Sequence, residues 1–230
     1  EIVSRSYKDE AVAIYEPLLP GYVGYDPKLK PVFDPAASKA KLTAAGYAPD
    51  TDGIFKKGDT RLSLRFVTSN NPAGKDTVGI IKENLKAIGV ELQVEIYPIE
   101  TFLQDYVRPR NYDMLFVSQN LGADSDIYSF WHSTQAIDPG LNFSGYADRR
   151  LDKLLEQGRS SHDPKVQADK YTQAMRLISS EVPAIYLVWP NYIYGVSKEV
   201  KGVEGARLVS PKDRFLNIVN WYINEKKSDS

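Results

Sequence analysis

Three features of this 230-residue sequence predict an α/β fold, a mixed and mostly parallel sheet flanked by helices. First, residues 62–67 and 91–97 alternate apolar and polar side chains and read as strands, while the apolar run at 113–118 reads as a buried strand. Second, Val78, Ile81, Leu85 and Ile88 fall on one helical face between the first two strands, and Gly89 stops that helix. Third, a short helix around Phe102, Leu103, Tyr106 and Val107 leads to the third strand. A strand, helix, strand, helix, strand order calls for parallel neighbours joined by right-handed crossovers.

The remaining elements follow in order. Residues 1–34 hold scattered apolar groups and repeated Pro, Gly and Tyr, as in Tyr15-Glu16-Pro17-Leu18-Leu19-Pro20-Gly21 and Tyr25-Asp26-Pro27. No helical or strand period persists there, so they read as an irregular lead-in that lies on a surface or comes from a partner domain. Asp34-Pro35 starts a helix, with Asp as cap and Pro at the first helical position, and Gly46 ends it. Asp50-Thr51-Asp52-Gly53 and Lys57-Gly58-Asp59 are turn signals around Ile54-Phe55. Further on, Leu151, Leu154 and Leu155 mark one helix. Asp163-Pro164 caps another, with Tyr171, Ala174, Met175 and Ile178 facing inward. A last strand is expected at 184–189, and the polar tail 225–230 is expected to fray.

Composition excludes several functions. A net charge of −1 gives no electrostatic footprint for nucleic acid or an anionic membrane. No cysteine is present, so thiol catalysis, disulfides and thiolate metal sites are excluded. The only histidines, His132 and His162, share no metal-ligand spacing, and neither a cofactor nor a metal is expected. No phosphate-cradling glycine loop, nucleophile elbow or helical His-Glu motif occurs, and one Asp dyad does not make a glycosidase. The chain is expected to be no enzyme.

What remains is the stretch Gly122-Ala123-Asp124-Ser125-Asp126-Ile127-Tyr128-Ser129-Phe130-Trp131-His132-Ser133. Two carboxylates and several aromatic rings follow the end of a predicted strand, where small molecules bind in open α/β sheets. A calcium-binding EF loop would need Gly at Ser129 and Glu at Gln135, so the spacing excludes it. Asp124 and Asp126 are candidate ligand anchors, and the bland alternative is a solvated turn. Tyr128 and Trp131 are candidate pocket walls, with the lobe's core as the alternative for Trp131 and Phe130. Asn142 and Tyr146 are further candidates against a turn-forming Asn and a core Tyr.

Several short patterns then coincide in order: Ala40-Lys41-Leu42-Thr43-Ala44-Ala45-Gly46-Tyr47, Asp52-Gly53-Ile54-Phe55, Ile88-Gly89-Val90, the 122–133 stretch, Asn142-Phe143-Ser144-Gly145-Tyr146 ahead of Leu151-Asp152-Lys153-Leu154-Leu155, Val182-Pro183-Ala184-Ile185-Tyr186-Leu187, and Val200-Lys201-Gly202. In these the chain resembles the C-terminal lobe of the family 5 extracellular solute-binding proteins, the oligopeptide- and dipeptide-binding components of bacterial ABC importers. The resemblance implies a periplasmic-binding-protein type II-like lobe. Residues 1–34 would lead in, 35–224 would form the ligand-binding lobe, 225–230 would be a flexible tail, and the N-terminal lobe would lie outside this chain.

It also implies the partners: a peptide or other small solute such as a sugar or metal chelate, and the ABC permease subunits, with an extracytoplasmic location in the periplasm or at a lipid anchor. In peptide-binding members an acidic residue of the matching loop pairs with the ligand's α-ammonium, and Asp124 is the first positional match, Asp126 the second. The sequence departs from the family at Ile127, where many members carry proline, and at Ser125, where a larger residue is common. A ligand-sensing domain of a regulator or chemoreceptor would use the same lobe.

Overall fold

The computed structural model describes residues 1–204, 208 and 210–224, and the expectation for the tail at 225–230 lies outside them. The chain divides into two compact units, Glu1–Trp189 and Pro190–Ser230.

The first unit is built on a parallel sheet. β5 (Ser63–Ser69) is central, with β6 (Glu91–Tyr97) on one side and β7 (Met114–Phe116) on the other. Both pairs are parallel, Ser63 to Ser69 matching Glu91 to Tyr97 and Phe66 to Thr68 matching Met114 to Phe116. Successive side chains of a strand point to opposite faces, and β5 uses both. Phe66 packs with Val78 and Leu92 under α3 (Pro72–Ala87). Val67 packs on the other face with Phe102 and Val107. The predicted short helix there consists of α4 (Ile99–Thr101) running into a π-helical turn, Phe102–Val107.

Asn71 caps α3 by accepting the Gly74 N–H at 3.0 Å. α2 (Pro35–Ala44) is capped as the sequence predicts, Asp34 accepting the Ala37 N–H at 2.8 Å. The two turn signals shape a small antiparallel sheet of β2 (Ala48–Pro49), β3 (Phe55–Lys57) and β4 (Thr60–Arg61).

The opening stretch departs from its expectation. Two short elements occur, α1 (Ile2–Tyr7) and β1 (Ala11–Ala13), and α1 packs on α3, where Arg5 reaches Glu83 at 3.3 Å and Glu1 takes a bond from Asn84 at 3.2 Å. These contacts come from partners about 80 positions on. Residues 14–34 are irregular as expected, and much of the stretch is exposed, residues 30–34 throughout, but Glu16, Pro17 and Leu18 are buried.

Leu18 belongs to the largest core cluster, with Ile127, Trp131, Leu151, Leu155, Tyr171, Ala174, Met175 and Ile178. Most of that cluster comes from α6 (Arg149–Ser160) and α7 (Pro164–Glu181), capped by Asp148 and Asp163. Tyr171 is its wedge. A Cβ on Gly24, whose φ is +93°, would stand 2.4 Å from the Tyr171 Cβ, and one on Gly158 would stand 2.7 Å from its ring. The 14–34 strap and α6 both approach α7 only because those positions lack side chains.

The last strand is shorter than expected. Only β8 (Val188–Pro190) joins a ladder, pairing with β1, because Ala184 and Tyr186 turn toward the core cluster instead of entering a sheet. In the second unit, β9 (Val200–Lys201) pairs antiparallel with β10 (Tyr222–Ile223). There the Arg214 guanidinium lies 4.2 Å from the Phe215 ring centre and 5.4 Å from that of Tyr194.

Candidate functional site

The carboxyl ends of β5, β6 and β7 share one edge of the sheet, and the 117–127 segment leaves that edge from β7. The loop is shaped by its own carboxylates. The Asp126 N–H donates to Asp124 Oδ1 at 2.7 Å and the Tyr128 N–H donates to Asp126 Oδ1 at 3.0 Å, two consecutive turns that launch α5 (Tyr128–Trp131). Ile127 and Trp131 drop from this stretch into the core cluster.

The two aspartates differ in what they have left to offer. Asp126 Oδ2 pairs with Arg159 Nε at 2.8 Å, so its charge is neutralised by α6. Asp124 is exposed, and among the described residues its second oxygen has no protein partner. Burial and the nearby charges of Asp126 and Asp124 push the Tyr171 hydroxyl up to about 12. Tyr171 therefore stays a neutral wall behind the loop.

Tyr128 is half-buried between two groups. Arg159 lies over its ring at 4.5 Å and His132 stacks on it at 4.1 Å and 17°. His132 is buried; the Thr134 N–H donates to its Nδ1 at 3.2 Å, which leaves Nε2 to carry the proton toward Glu156 at 3.4 Å. Asp152 fixes the end of α5 by accepting the Ser133 N–H at 2.8 Å and the Ser133 hydroxyl at 2.6 Å. Sequence reading missed this chain of Arg159, His132, Asp152 and Glu156. Its members lie up to 33 positions from Asp126, and only the helical spacing of Asp152, Glu156 and Arg159 hints that they share a face.

The remaining candidates are spent within the lobe. Trp131 is 4% exposed, against Tyr186 at 6.3 Å between ring centres. Asn142 is wholly buried: its amide donates to the Tyr146 carbonyl at 2.9 Å and the His132 carbonyl at 3.3 Å, and its carbonyl accepts the Ser144 hydroxyl at 2.8 Å. Tyr146 donates to Asp148 Oδ2 at 3.2 Å, beside the cap of α6. Burial, and then the Asp148 charge, raise its hydroxyl. The structure thus groups Asp124, Asp126 and Tyr128 on the loop and uses Trp131, Asn142 and Tyr146 to brace it. Among the described residues no group of His, Asp or Glu side chains is arranged to hold a metal, and no helix is long and apolar enough to cross a membrane.

The sequence pattern of the family described as bacterial extracellular solute-binding proteins, family 5 Middle, matches residues 1–138. The oligopeptide-binding protein AppA of Bacillus subtilis is 27% identical over 228 residues, covering 96% of this chain and 41% of that protein. The chain thus spans about two fifths of the length of this curated relative. Among solved structures, AppA in complex with a nonapeptide superposes with a TM-score of 0.77 at 24% identity, over 97% of this chain and 45% of that one. NikZ from Campylobacter jejuni in complex with Ni(L-His) gives 0.76 at 22% identity, over 96% and 45%. The fold is that of a type II periplasmic binding protein lobe.

Proposed function

The chain belongs to the family 5 bacterial extracellular solute-binding proteins, and from that premise we propose that it is the C-terminal ligand-binding lobe of a peptide receptor that serves an ABC importer. Members of this family are transport binding proteins and not enzymes. The observation that carries the peptide reading is the division of labour in the loop. Asp126 is neutralised by Arg159, while Asp124 keeps an exposed oxygen with no protein partner. A free carboxylate beside an aromatic ring suits an α-ammonium group, which needs a charge-assisted acceptor once a cleft closes around it. The oligopeptide-binding relative supports the ligand class.

In this reading a second lobe, elsewhere in the protein, supplies the opposite wall. Ligand binds the closed arrangement more tightly, shifts the population toward it, and the closed form engages the permease outside the cytoplasm.

Native mass spectrometry of the intact protein, purified without added ligand and then denatured, tests the class. A ladder of short peptides is expected. A single non-peptide species, such as the kind of chelate bound by NikZ, would replace the peptide reading and keep the lobe. For the anchor, Asp124→Asn is expected to weaken peptide binding by about 2–5 kcal/mol, roughly thirtyfold to a few thousandfold. Asp126→Asn should act mainly on loop stability. Unchanged affinity in the Asp124 variant, measured by calorimetry, would remove the carboxylate from the site.

A further inference from the structure

The strap at residues 14–26 is tied to the candidate loop at two points. The Tyr22 hydroxyl donates to the Gly122 carbonyl at 2.6 Å, and the Val23 N–H donates to the Ser125 hydroxyl at 2.6 Å. Its far end is tied by Glu16, whose Oε1 accepts the Asp26 N–H at 3.0 Å and so closes the strap on itself. Asp26 in turn pairs with Arg176 of α7 at 3.1 Å.

Glu16 is only 2% exposed, and its Oε2 is buried with no hydrogen-bond partner among the described residues. A structural brace needs one acceptor at this place, and a glutamine would supply it. What the sequence places here is an ionisable group half of whose hydrogen-bonding capacity goes unmet, next to the equally unpartnered Tyr186 hydroxyl.

We propose that Glu16 is a positioning residue for the 122–133 loop: it holds the strap, the strap holds the loop, and the charge on its buried carboxyl sets how firmly both are held. This rests on the reading of that loop as ligand-facing. No cation pairs with Glu16 among the described residues, since Arg176 is turned to Asp26. The groups that face it are Asp26 on the strap, with Arg176 of α7 and Lys28 behind that carboxylate, and Tyr186 ahead of β8. Burial pushes the Glu16 carboxyl up to about 7, against the pull of the Asp26 N–H and with the help of the Asp26 charge. A strap that opens returns the carboxyl to water and to its ordinary range near 4.5. Opening therefore releases a proton, and a rise in pH through neutrality favours it. Ligand affinity would follow, higher in mild acid and lower in mild alkali.

Amide hydrogen exchange on the intact protein without ligand tests this apart from any ligand assignment, after correction for the intrinsic effect of pH. Segments 22–26 and 122–131 are expected to lose protection together, by about tenfold, between pH 6 and pH 8. Glu16→Gln keeps the Asp26 N–H bond and is expected to hold the acid-side protection across that range. Wild-type protection that is flat with pH, a change in the strap without one in the loop, or the same pH dependence in the glutamine variant would each overturn the proposal. The wild-type profile decides even if that variant does not fold. A failure here leaves the peptide reading standing, because no ligand enters the measurement.

Discussion

At the scale of single residues, Val182 is the clearest strain. It ends α7 in the left-handed region at φ +51°, a conformation a β-branched side chain resists, and it is largely exposed. Val182→Gly is expected to stabilise the protein by about 1 kcal/mol, read as a rise in the urea midpoint at unchanged slope. Asn142 is the opposite case, a polar group with every bond used. Asn142→Ala should cost about 2–4 kcal/mol, since it leaves the Tyr146 and His132 carbonyls and the Ser144 hydroxyl without their partner. At this scale the sequence singled out the loop and could not tell its two carboxylates apart. Asp124 and Asp126 look alike in the sequence, and what separates them is Arg159, brought in by the packing of α6.

At the scale of elements, the sequence was most legible where local chemistry decides. The Asp34-Pro35 and Asp163-Pro164 starts and the turn signals at Gly53 and Gly58 correspond to elements whose bonds are local, and the alternation at 91–97 to a strand whose pleat shows in its own sequence although its partner is β5. The strap was not legible, because its partners are 100 to 150 positions away. Nor was the shortening of the last strand, which loses Tyr186 to the core. Gly24 tests the strap as an element. Gly24→Ala would set a Cβ into Tyr171 at a positive φ, and about 2–4 kcal/mol of destabilisation is expected from thermal unfolding. Gly53→Ala also meets a positive φ, +83°, but its Cβ would have nothing within 4 Å, and it should cost less.

For the molecule as a whole, two opposing carboxylate effects bound the pH of greatest stability. Arg150 beside Asp148 holds that carboxyl far below its usual range, so its contribution is present above pH 3.8 and fades as acid protonates it. Glu16 is raised, so the folded state binds its proton more tightly than the unfolded chain. Stability falls as pH climbs from 4.5 toward 7, and the loss is complete above that value. A shift of that size corresponds to about 3 kcal/mol for a buried group. The melting temperature should therefore peak in acid, between pH 3.8 and pH 4.5. The gap between Glu16→Gln and the wild type should widen in favour of the variant as pH rises; a constant gap would count against it.

The Gly24 contact with Tyr171 also governs how the chain finds its fold. A residue near the start of the sequence must wait for one about 150 positions later before either can settle. Contacts so distant along the chain slow folding, because the loop between them must close before the contact rewards it. During synthesis the parallel sheet has all its strands well before α7 exists, while Leu18 and Ile127 still lack the face that covers them. A nascent chain stopped near residue 160 should remain open to protease at the strap, and one that reaches residue 189 should not.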